Sequence, residues 1–598
     1  MSAPRYSVNQ HPIQTVLTWI ESGEIAIPEI QRPFVWNTTQ VRDLLDSLHK
    51  GYPVGYLIAW KNPAVRLKDG TTAEGKRVLI DGQQRVTALM GAVLGHKVVD
   101  KHYRRHRIQI AYHPLERRFE VGNPAIRKDK AWVADIADVF GHDFKTHHFV
   151  TKYCALNEGA NEDDVFESID TLKGIVGNQL GLIELNADLD IETVTEIFIR
   201  INAKGAVLSQ ADFAMSKIAA NETYAGHILR KCIDYFCHLA IRPEAYESIA
   251  EHDKEFANTE DFRRMSWLKR ENDDLYDPSY TDMLRVAFTS HFRRGRLEDL
   301  VALLSGRNFE TKTYEQNIAE ESFSLLKEGI DAFMNETHFK RFVMILKSAG
   351  FIDPSLIRSQ NAKNFAYVVY LFLREQGMPD AMIESLVRRW FVMSILTGRY
   401  TSSPESSFDL DIRRLSELGA ADQLKRIEEA DLSDAFWDFG LPQQFDSPVA
   451  SSPYFKLFLA AQVHAKDKGF LSQAITVADL IAHRGDVHHI FPRNFLKKNG
   501  VPRNRYNQVA NYVMMQSEIN IAVGDKPPEV YFGRMLEQVN GGQPAFGGIT
   551  DPITLRENLD GNCVPGNLHE FALDSYDEFL DARRRLMARK LRNFYRAL

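Results

Sequence analysis

The sequence contains few cysteines and none of the spacings that cysteine chemistry requires. Its four cysteines are Cys154, Cys232, Cys237 and Cys563, and no two of them form a Cys-x-x-Cys pair. Structural zinc sites and disulfide frameworks use closely and regularly spaced cysteines. The pattern excludes a disulfide-rich secreted domain and a zinc site of the usual spacing, and it favours a reducing compartment, the cytoplasm.

Long apolar runs are also missing. No segment approaches the roughly 18 consecutive apolar residues that a membrane-spanning helix needs. The first residues, Met-Ser-Ala-Pro-Arg-Tyr-Ser, lack the apolar centre of a signal peptide. We therefore expect a protein that neither crosses a membrane nor is secreted.

The chain has no excess of positive charge. It contains 73 Lys and Arg residues against 80 Asp and Glu residues, which gives a formal net charge of −7. A surface that binds nucleic acid must then be a local patch rather than a property of the whole chain. Overall acidity does not exclude DNA as a partner.

The N-terminal region, residues 1–225, alternates strand-like and helical runs. Strands are predicted at 55–60, 77–80 and 107–112 from short runs rich in β-branched and aromatic residues. The spacing of Ser209 and Asp212 forms a capping box, which predicts the start of a helix. These patterns predict an α/β domain.

The rest of the chain is predicted to form two further domains, because 598 residues exceed what one hydrophobic core supports. Residues 226–444 carry apolar residues at helical spacing and are predicted to form a helical connector. Three prolines among polar residues near 445 indicate a linker before a C-terminal domain, 445–598. The predicted fold class is multidomain α+β.

The most specific functional signal in the sequence is the segment Asp486-Val-His-His-Ile-Phe-Pro492, which is followed by Asn511 and Asn520. Hydrolysis of a phosphodiester needs a base that deprotonates water and a cation that neutralises the developing charge. A histidine beside a metal ligand meets both needs. Adjacent histidines on an extended strand point to opposite faces, so a bend is needed if both are to line one site.

Two interpretations of this segment are open from the residues alone. The histidines are either parts of a nuclease centre or ordinary strand residues followed by turn-forming asparagines, and four matching positions in order favour the nuclease. Lys526 fits charge stabilisation at the phosphate and a solvated loop equally well. A ligand set of one His and one Asn leaves most metal positions to water or phosphate, which suits Mg²⁺ or Mn²⁺.

Over about residues 480–535 the sequence resembles the HNH, or ββα-metal, nucleases. The resemblance implies a C-terminal ββα-metal domain within a helical surround, with His489 as the general base and Asn511 holding the loop in shape. The predicted catalytic set is His489, Asn511 and Lys526. The predicted metal ligands are His488 and Asn520, with Asp486 as a weaker alternative.

A second constellation is Ile80-Asp-Gly-Gln-Gln-Arg-Val-Thr-Ala-Leu89, in which a strand leads through a glycine turn into a helix. Gly82 allows backbone amides to approach a phosphate, while Gln83, Gln84 and Arg85 supply donors at the start of the helix. By periodicity alone, a capped helix with a surface arginine is an equally good interpretation.

This motif stands in order with two others, Ile27-Pro-Glu-Ile-Gln-Arg-Pro-Phe-Val-Trp36 and Phe198-Ile-Arg-Ile-Asn-Ala-Lys-Gly205 followed by Leu208-Ser209. Together, over about residues 10–220, they resemble the ParB/sulfiredoxin-like N-terminal domain of GmrSD-type restriction proteins. Ile30 stands where many relatives have an aromatic residue. The residues that the resemblance would place at a nucleoside triphosphate are Asp81, Gly82, Gln83, Gln84, Arg85, Arg32, Arg200 and Asn202.

The family resemblance implies a nucleotide-regulated DNA endonuclease with NTPase activity that cuts modified phage DNA in a restriction system. Gln31 and Arg32 would line a pocket that senses modified DNA. Arg585, Arg589 and Arg592 lie on one face of a predicted basic helix and are predicted to contact DNA. The helical middle region would transmit the nucleotide state or form a homodimer contact.

Two other functions are open. One is a nucleotide-switched DNA-binding protein whose HNH fold is non-catalytic, against which both His488 and His489 argue, because binding alone needs no general base. The other is a toxin-like nuclease that attacks RNA or host DNA, which the same metal chemistry would serve.

Overall fold

The structure, a computed structural model, describes residues 5–26, 36–61, 77–99, 105–186, 209–221, 223–270 and 273–598, and the single positions 189, 193, 194 and 197. The chain divides into two compact units, Met1–Arg263 and Arg264–Leu598. The first unit contains its own buried apolar cluster, and another such cluster lies within 470–580 of the second. The predicted domain boundaries near 225 and 445 stay predictions.

The first unit is built around a mixed β-sheet. Its described strands are β1 (Tyr6–Pro12), β2 (Ile25–Ala26), β3 (Tyr56–Lys61), β4 (Arg77–Asp81), β5 (Lys97–Val99), β6 (Arg105–Arg107), β7 (Ile110–His113), β8 (Arg118–Val121) and β9 (Gln179–Leu185). The main sheet has the order β1-β9-β3-β4-β2. In it β1 and β9, and β3 and β4, are antiparallel, whereas β9 and β3, and β4 and β2, are parallel.

Helices cover this sheet and continue to the end of the first unit. They are α1 (Ile13–Glu21), α2 (Thr38–His49), α3 (Gln83–Ala92), α4 (Ala137–Phe140), α5 (Thr146–Leu156), α6 (Glu162–Gly174), α7 (Gln210–Ala220), α8 (Gly226–Ile241), α9 (Ala245–His252), α10 (Lys254–Ala257) and α11 (Glu260–Arg264). The buried faces of α1, α2, α3 and α6 contribute to one apolar cluster with the strands.

Most of the local predictions for this unit are confirmed. Residues 55–60 and 77–80 lie almost entirely in β3 and β4, and the capping box of Ser209 and Asp212 opens α7. The single strand predicted at 107–112 is wrong, because the chain changes partner there. Its first residue pairs with β5, and its last three pair with β8.

The second unit is mainly helical. Its helices are α12 (Tyr280–Phe292), α13 (Leu297–Leu304), α14 (Gln316–Met334), α15 (Glu336–Ser348), α16 (Gln360–Glu375), α17 (Asp380–Thr397), α18 (Pro404–Leu418), α19 (Ala420–Asp431), α20 (Leu441–Gln444), α21 (Pro453–His464), α22 (Val477–Ala482), α23 (Arg493–Lys498), α24 (Arg503–Tyr506), α25 (Ser517–Val523), α26 (Pro528–Val539), α27 (Pro552–Gly561) and α28 (Tyr576–Ala597). Among the described residues, no helix is both long and apolar enough to span a membrane.

The predicted α+β class is confirmed at the level of a mixed N-terminal region followed by a helical remainder. The predicted helical character of the middle region is confirmed by α12 to α19. Within the predicted linker, Leu441–Gln444 forms a short helix. Pro442 is compatible with this helix because it stands in the first turn, where its missing N–H has no partner within the helix.

Two short strands interrupt the helices, namely β10 (Val487–His489) and β11 (Tyr512–Met514). They form an antiparallel ribbon that rests on a buried apolar cluster including Phe491, Val513 and Phe579. The ring of Phe491 lies 5.0 Å from that of Tyr576 and 4.9 Å from that of Phe579, both on α28. The long C-terminal helix α28 thereby packs against the residues that follow β10 and stabilises the ribbon.

Candidate active site

The ribbon and the helix after it form one local unit of strand, strand and helix. β10 pairs with β11 so that His488 lies opposite Val513 and His489 opposite Tyr512. Two residues separate β11 from α25, which begins at Ser517 and carries Asn520 as its fourth residue. The two histidines lie on β10 and Asn520 lies on α25, and both elements border the buried apolar cluster that includes Ile490, Val513 and Ile519.

The register runs without a shift through His488 and His489. Consecutive side chains of a strand point to opposite faces, so the register alone does not place both imidazoles on one face. Two-stranded ribbons twist more strongly than larger sheets. A common site for both histidines requires such a twist at the end of β10.

His489 is the better fixed of the two imidazoles. Its Nε2 lies 3.1 Å from Oδ1 of Asn507, and its ring packs edge-on against Tyr512 at 5.1 Å. Burial lowers the pKa of His489, the Asn507 hydrogen bond raises it, and the charge of Arg493 lowers it further. The net lowering favours the neutral imidazole at neutral pH.

The hydrogen bond to Asn507 also selects a tautomer. With Oδ1 of Asn507 as the acceptor, the proton of His489 is on Nε2 and the lone pair is on Nδ1. A neutral imidazole with an available lone pair is the form that accepts a proton from water. Asn507 was missed from the sequence, since nothing distinguishes it from the turn-forming asparagines around it.

His488 has a ring nitrogen that is available to bind a metal ion. It is half-buried, and its Nε2 is buried with no hydrogen-bond partner among the described residues. Burial lowers the pKa of His488, while the carboxylate of Asp486 raises it. An unpaired buried nitrogen costs free energy unless a proton, water or metal satisfies it, and a neutral imidazole nitrogen is a common metal ligand.

The other predicted metal ligands are placed less tightly. Asn520 is half-buried, and its side-chain amide forms no hydrogen bond with a described residue. Asp486 is exposed and immediately precedes β10. The described residues contain no group of three or more His, Cys, Asp or Glu that would hold a metal by themselves. The set of imidazole, amide and carboxylate fits a hydrated hard cation better than zinc.

Asn511 is fully buried in a short 3₁₀ turn just before β11. Its Oδ1 accepts a hydrogen bond from the N–H of Phe491 at 2.8 Å. Its Nδ2 donates to the carbonyls of Phe491 at 3.1 Å and Tyr506 at 3.2 Å. Asn511 therefore ties the chain just after His489 to the segment that carries Asn507.

Lys526 is engaged locally. Its Nζ donates to the carbonyl of Ala522 on the last turn of α25, at 3.0 Å. A lysine in this position satisfies an otherwise unpaired helix carbonyl and interacts favourably with the helix dipole. This contact uses one of its three donors, so the structure gives Lys526 a capping role beside the predicted catalytic one.

The arginines of α28 fall into two groups. Arg583 is fully buried and donates to the carbonyl of Ala510 at 2.8 Å and to that of Asn562 at 3.2 Å. Burial lowers its pKa to about 10. Arg583 therefore binds the backbone next to Asn511 from inside the protein. This member of the basic run stabilises the ribbon and is not part of the exposed basic surface.

The three arginines predicted to contact DNA differ in their surroundings. Arg585 is exposed and forms an ion pair with Asp581 at 2.8 Å. Arg589 is exposed and has no ion pair with a described residue. Arg592 is paired with Asp434 and with Asp438. Acidic partners therefore offset two of the three charges.

The N-terminal motif forms the predicted strand, turn and helix. β4 ends at Asp81, Gly82 adopts a φ of +96°, and α3 begins at Gln83. The guanidinium of Arg85 donates to the carbonyl of Val54 at 3.0 Å and to Oδ2 of Asp81 at 3.3 Å. Burial lowers the pKa of Arg85, whereas Asp81 raises it.

The other N-terminal residues predicted to bind the nucleotide or to sense DNA are either buried or lie outside the described residues. Gln83 and Gln84 are buried, with 6% and 8% exposure. Gln31, Arg32, Arg200 and Asn202 lie outside the described residues. The described part of the motif is thus a tightly packed turn whose arginine is tied to its aspartate.

Replacing Gly82 by alanine is expected to lower the free energy of unfolding of the first unit by about 2–4 kcal/mol. A Cβ there would lie 2.2 Å from Cδ2 of Leu57, and the left-handed backbone adds a penalty of its own. Gly174→Ala is the matched control, because it has a helical φ and open space around it. Urea denaturation of both variants measures the difference, and equal stability would contradict the packed turn.

Comparison with known proteins gives two findings. Residues 13–219 match the family model described as the GmrSD restriction endonuclease, N-terminal domain. An uncharacterized protein of Methanocaldococcus jannaschii is 21% identical, over 95% of this chain and 96% of its own length. The likeness to that protein therefore extends through both units.

Proposed function

Because residues 13–219 match the model of the GmrSD restriction endonuclease N-terminal domain, we propose that the protein is a nucleotide-regulated, metal-dependent DNA endonuclease. We place it with the restriction enzymes that cut modified phage DNA. The observation that carries the nuclease proposal is the ribbon of β10 and β11 with α25. It presents His489, whose Nε2 is hydrogen-bonded to Asn507, together with the buried His488 Nε2, which has no partner among the described residues.

In the proposed mechanism, His489 accepts a proton from the attacking water at Nδ1 while Asn507 holds Nε2–H. His488 and Asn520, with Asp486 in reach along the chain, would hold a divalent cation such as Mg²⁺ or Mn²⁺. The cation would supply positive charge at the phosphate and the leaving oxygen. Asn511 keeps the base in place by tying Phe491 to the segment before β11.

The N-terminal motif is proposed to bind and hydrolyse a nucleoside triphosphate. The support is the turn at Gly82, which leads from a strand into α3, and the donors Gln83, Gln84 and Arg85 at the start of that helix. In the described structure Arg85 is tied to Asp81. Binding of a triphosphate would compete for that ion pair, which offers a local means of sensing the nucleotide.

The experiment that tests the proposal is a cleavage screen with the full chain. The purified protein is incubated with Mg²⁺, with and without each nucleoside triphosphate, on phage DNAs with different base modifications and on unmodified plasmid. Cleavage restricted to modified DNA and altered by a nucleotide is the expected result. Binding of these DNAs without cleavage under any condition would overturn the proposal and indicate a non-catalytic, DNA-binding ribbon.

A further inference from the structure

The segment between the two strands of the ribbon carries an unusual charge. Residues 493–505 contain Arg493, Lys497, Lys498, Arg503 and Arg505 and no Asp or Glu. The chain as a whole is acidic, with a net charge of −7. This concentration of positive charge, which we call the cationic insertion, is therefore a local exception.

The cationic insertion folds into two short helices joined by a turn. α23 holds Arg493, Lys497 and Lys498, and α24 holds Arg503 and Arg505. The first four of these cations are exposed, and Arg505 is half-buried. The folded segment thus presents its cations to solvent.

Only part of this charge is offset by acidic neighbours. Lys498 pairs with Asp525 at 3.0 Å, and Arg505 pairs with Asp577. Arg493, Lys497 and Arg503 form no ion pair with a described residue. The guanidinium of Arg493 lies over the ring of Tyr506, 5.7 Å from its centroid, which orders it without neutralising it.

The insertion lies directly beside the proposed catalytic base. It begins four residues after His489, and Asn507, two residues past its last cation, is the hydrogen-bond partner of that histidine. Tyr506, beneath Arg493, is bonded through its carbonyl to Asn511.

We propose that the cationic insertion is the surface that binds the phosphates of duplex DNA on either side of the bond to be cut. This proposal rests on the proposed nuclease function for its choice of DNA. The phosphates that flank the scissile one lie near the base, and the insertion, which carries unpaired cations, begins four residues after His489 and ends two residues before its partner Asn507. The arginines of α28 are less suited, because acids offset Arg585 and Arg592.

Binding of this kind has a measurable signature in its salt dependence. Each phosphate contact releases condensed counterions, so the logarithm of the binding constant falls with the logarithm of salt concentration by about 0.9 per contact. Removing two phosphate-binding cations is therefore expected to reduce that slope by about 1.8. Removing two cations elsewhere on the surface leaves the slope nearly unchanged.

The test uses the double variant Lys497→Gln/Arg503→Gln of the full chain. Its matched control is Lys425→Gln/Arg426→Gln on α19, which removes one lysine and one arginine from another exposed stretch of the same unit. The binding constant is measured by fluorescence anisotropy with a labelled duplex of about 30 base pairs, in Ca²⁺ to prevent cleavage. The KCl concentration is varied from about 50 to about 300 mM, a range in which the binding constant depends strongly on phosphate contacts.

We expect the insertion variant to bind the duplex at least about tenfold more weakly at low salt, with a slope smaller by about 1.8, and the control to match the wild type. Equal losses in both variants, or no loss in the insertion variant, would overturn the docking surface. A preference of the wild type for duplex RNA that the insertion variant abolishes would overturn the choice of DNA.

The binding test and the cleavage screen can fail independently. If the slope changes as expected but no DNA is cut, the docking surface stands and the nuclease proposal fails. If DNA is cut but the slope is unchanged, the nuclease proposal stands and this surface fails. The side chains of Lys497 and Arg503 are exposed and form no ion pair or hydrogen bond with a described residue, and thermal unfolding of the variant checks that its fold is intact.

Discussion

His489→Ala is expected to reduce the rate of DNA cleavage by about 10²–10⁴ while DNA binding is retained. The variant loses the imidazole that accepts the proton from water, and general-base catalysis contributes a factor of this size. The hydrogen bond between His489 and Asn507 is also lost. DNA binding is expected to persist, because neither His489 nor Asn507 forms an ion pair with a cation of the proposed docking surface. Single-turnover cleavage of end-labelled DNA measures the rate, and anisotropy measures the binding.

The control for this prediction is His483→Ala. His483 is exposed, follows α22, and its Nδ1 contacts only the carbonyl of Asp479 among the described residues. We expect this variant to cleave at the wild-type rate. Unchanged cleavage by His489→Ala would contradict its assignment as the base, and loss of binding together with cleavage would indicate a structural role instead.

Asn511→Ala is expected to lower the free energy of unfolding of the second unit by about 2–4 kcal/mol and to reduce cleavage at least 100-fold. The buried amide makes three hydrogen bonds, to the N–H and carbonyl of Phe491 and the carbonyl of Tyr506. Each buried group left unpaired costs roughly 1–3 kcal/mol. Urea denaturation measures the stability.

The matched control is Asn540→Ala, because the side chain of this exposed asparagine makes one hydrogen bond among the described residues, to the carbonyl of Leu536 near the end of α26. Its effect on stability is expected to stay within about 0.5 kcal/mol. If Asn511→Ala unfolds more easily yet cleaves at the wild-type rate below its unfolding transition, the link from Asn511 to the position of His489 is wrong.

The parts of the fold that could be predicted from the sequence depend on local interactions. The turn at Gly82 follows from a strand, a glycine and a helix in immediate succession, and the start of α7 follows from a capping box within four residues. The strand that was predicted as one element at 107–112 is divided between two hairpins. That division depends on which neighbours pair with it, which no local pattern records.

The candidate site shows the same limit. The order of His488, His489, Asn511 and Asn520 was visible as a motif. Asn507 was not, because its role depends on a contact across the segment between the strands.

The basic run of α28 was predicted as one surface, since helical spacing indicates a shared face. Asp434 and Asp438, which pair with Arg592, come from a distant part of the chain. Arg583 is buried because its guanidinium binds the carbonyl of Ala510 inside the protein, a contact that no local pattern indicates. The cationic insertion is the opposite case. Its charge was readable from the sequence, but only the pairing of β10 and β11 places it beside the proposed base.

The dependence of DNA cleavage on a divalent metal decides whether the ribbon of β10 and β11 is a metal-dependent nuclease centre. Wild-type protein is assayed on a cleavable DNA in Mg²⁺, after EDTA, and after Mg²⁺ is restored, beside His488→Ala over a range of Mg²⁺ concentrations. We expect EDTA to stop cleavage and Mg²⁺ to restore it. We expect the variant to need at least about tenfold more Mg²⁺ for half its maximal rate, since loss of a metal-site interaction typically costs about 10–100-fold in affinity or activity. Cleavage that persists in EDTA, or a variant with the wild-type Mg²⁺ requirement, would contradict a metal centre at this ribbon.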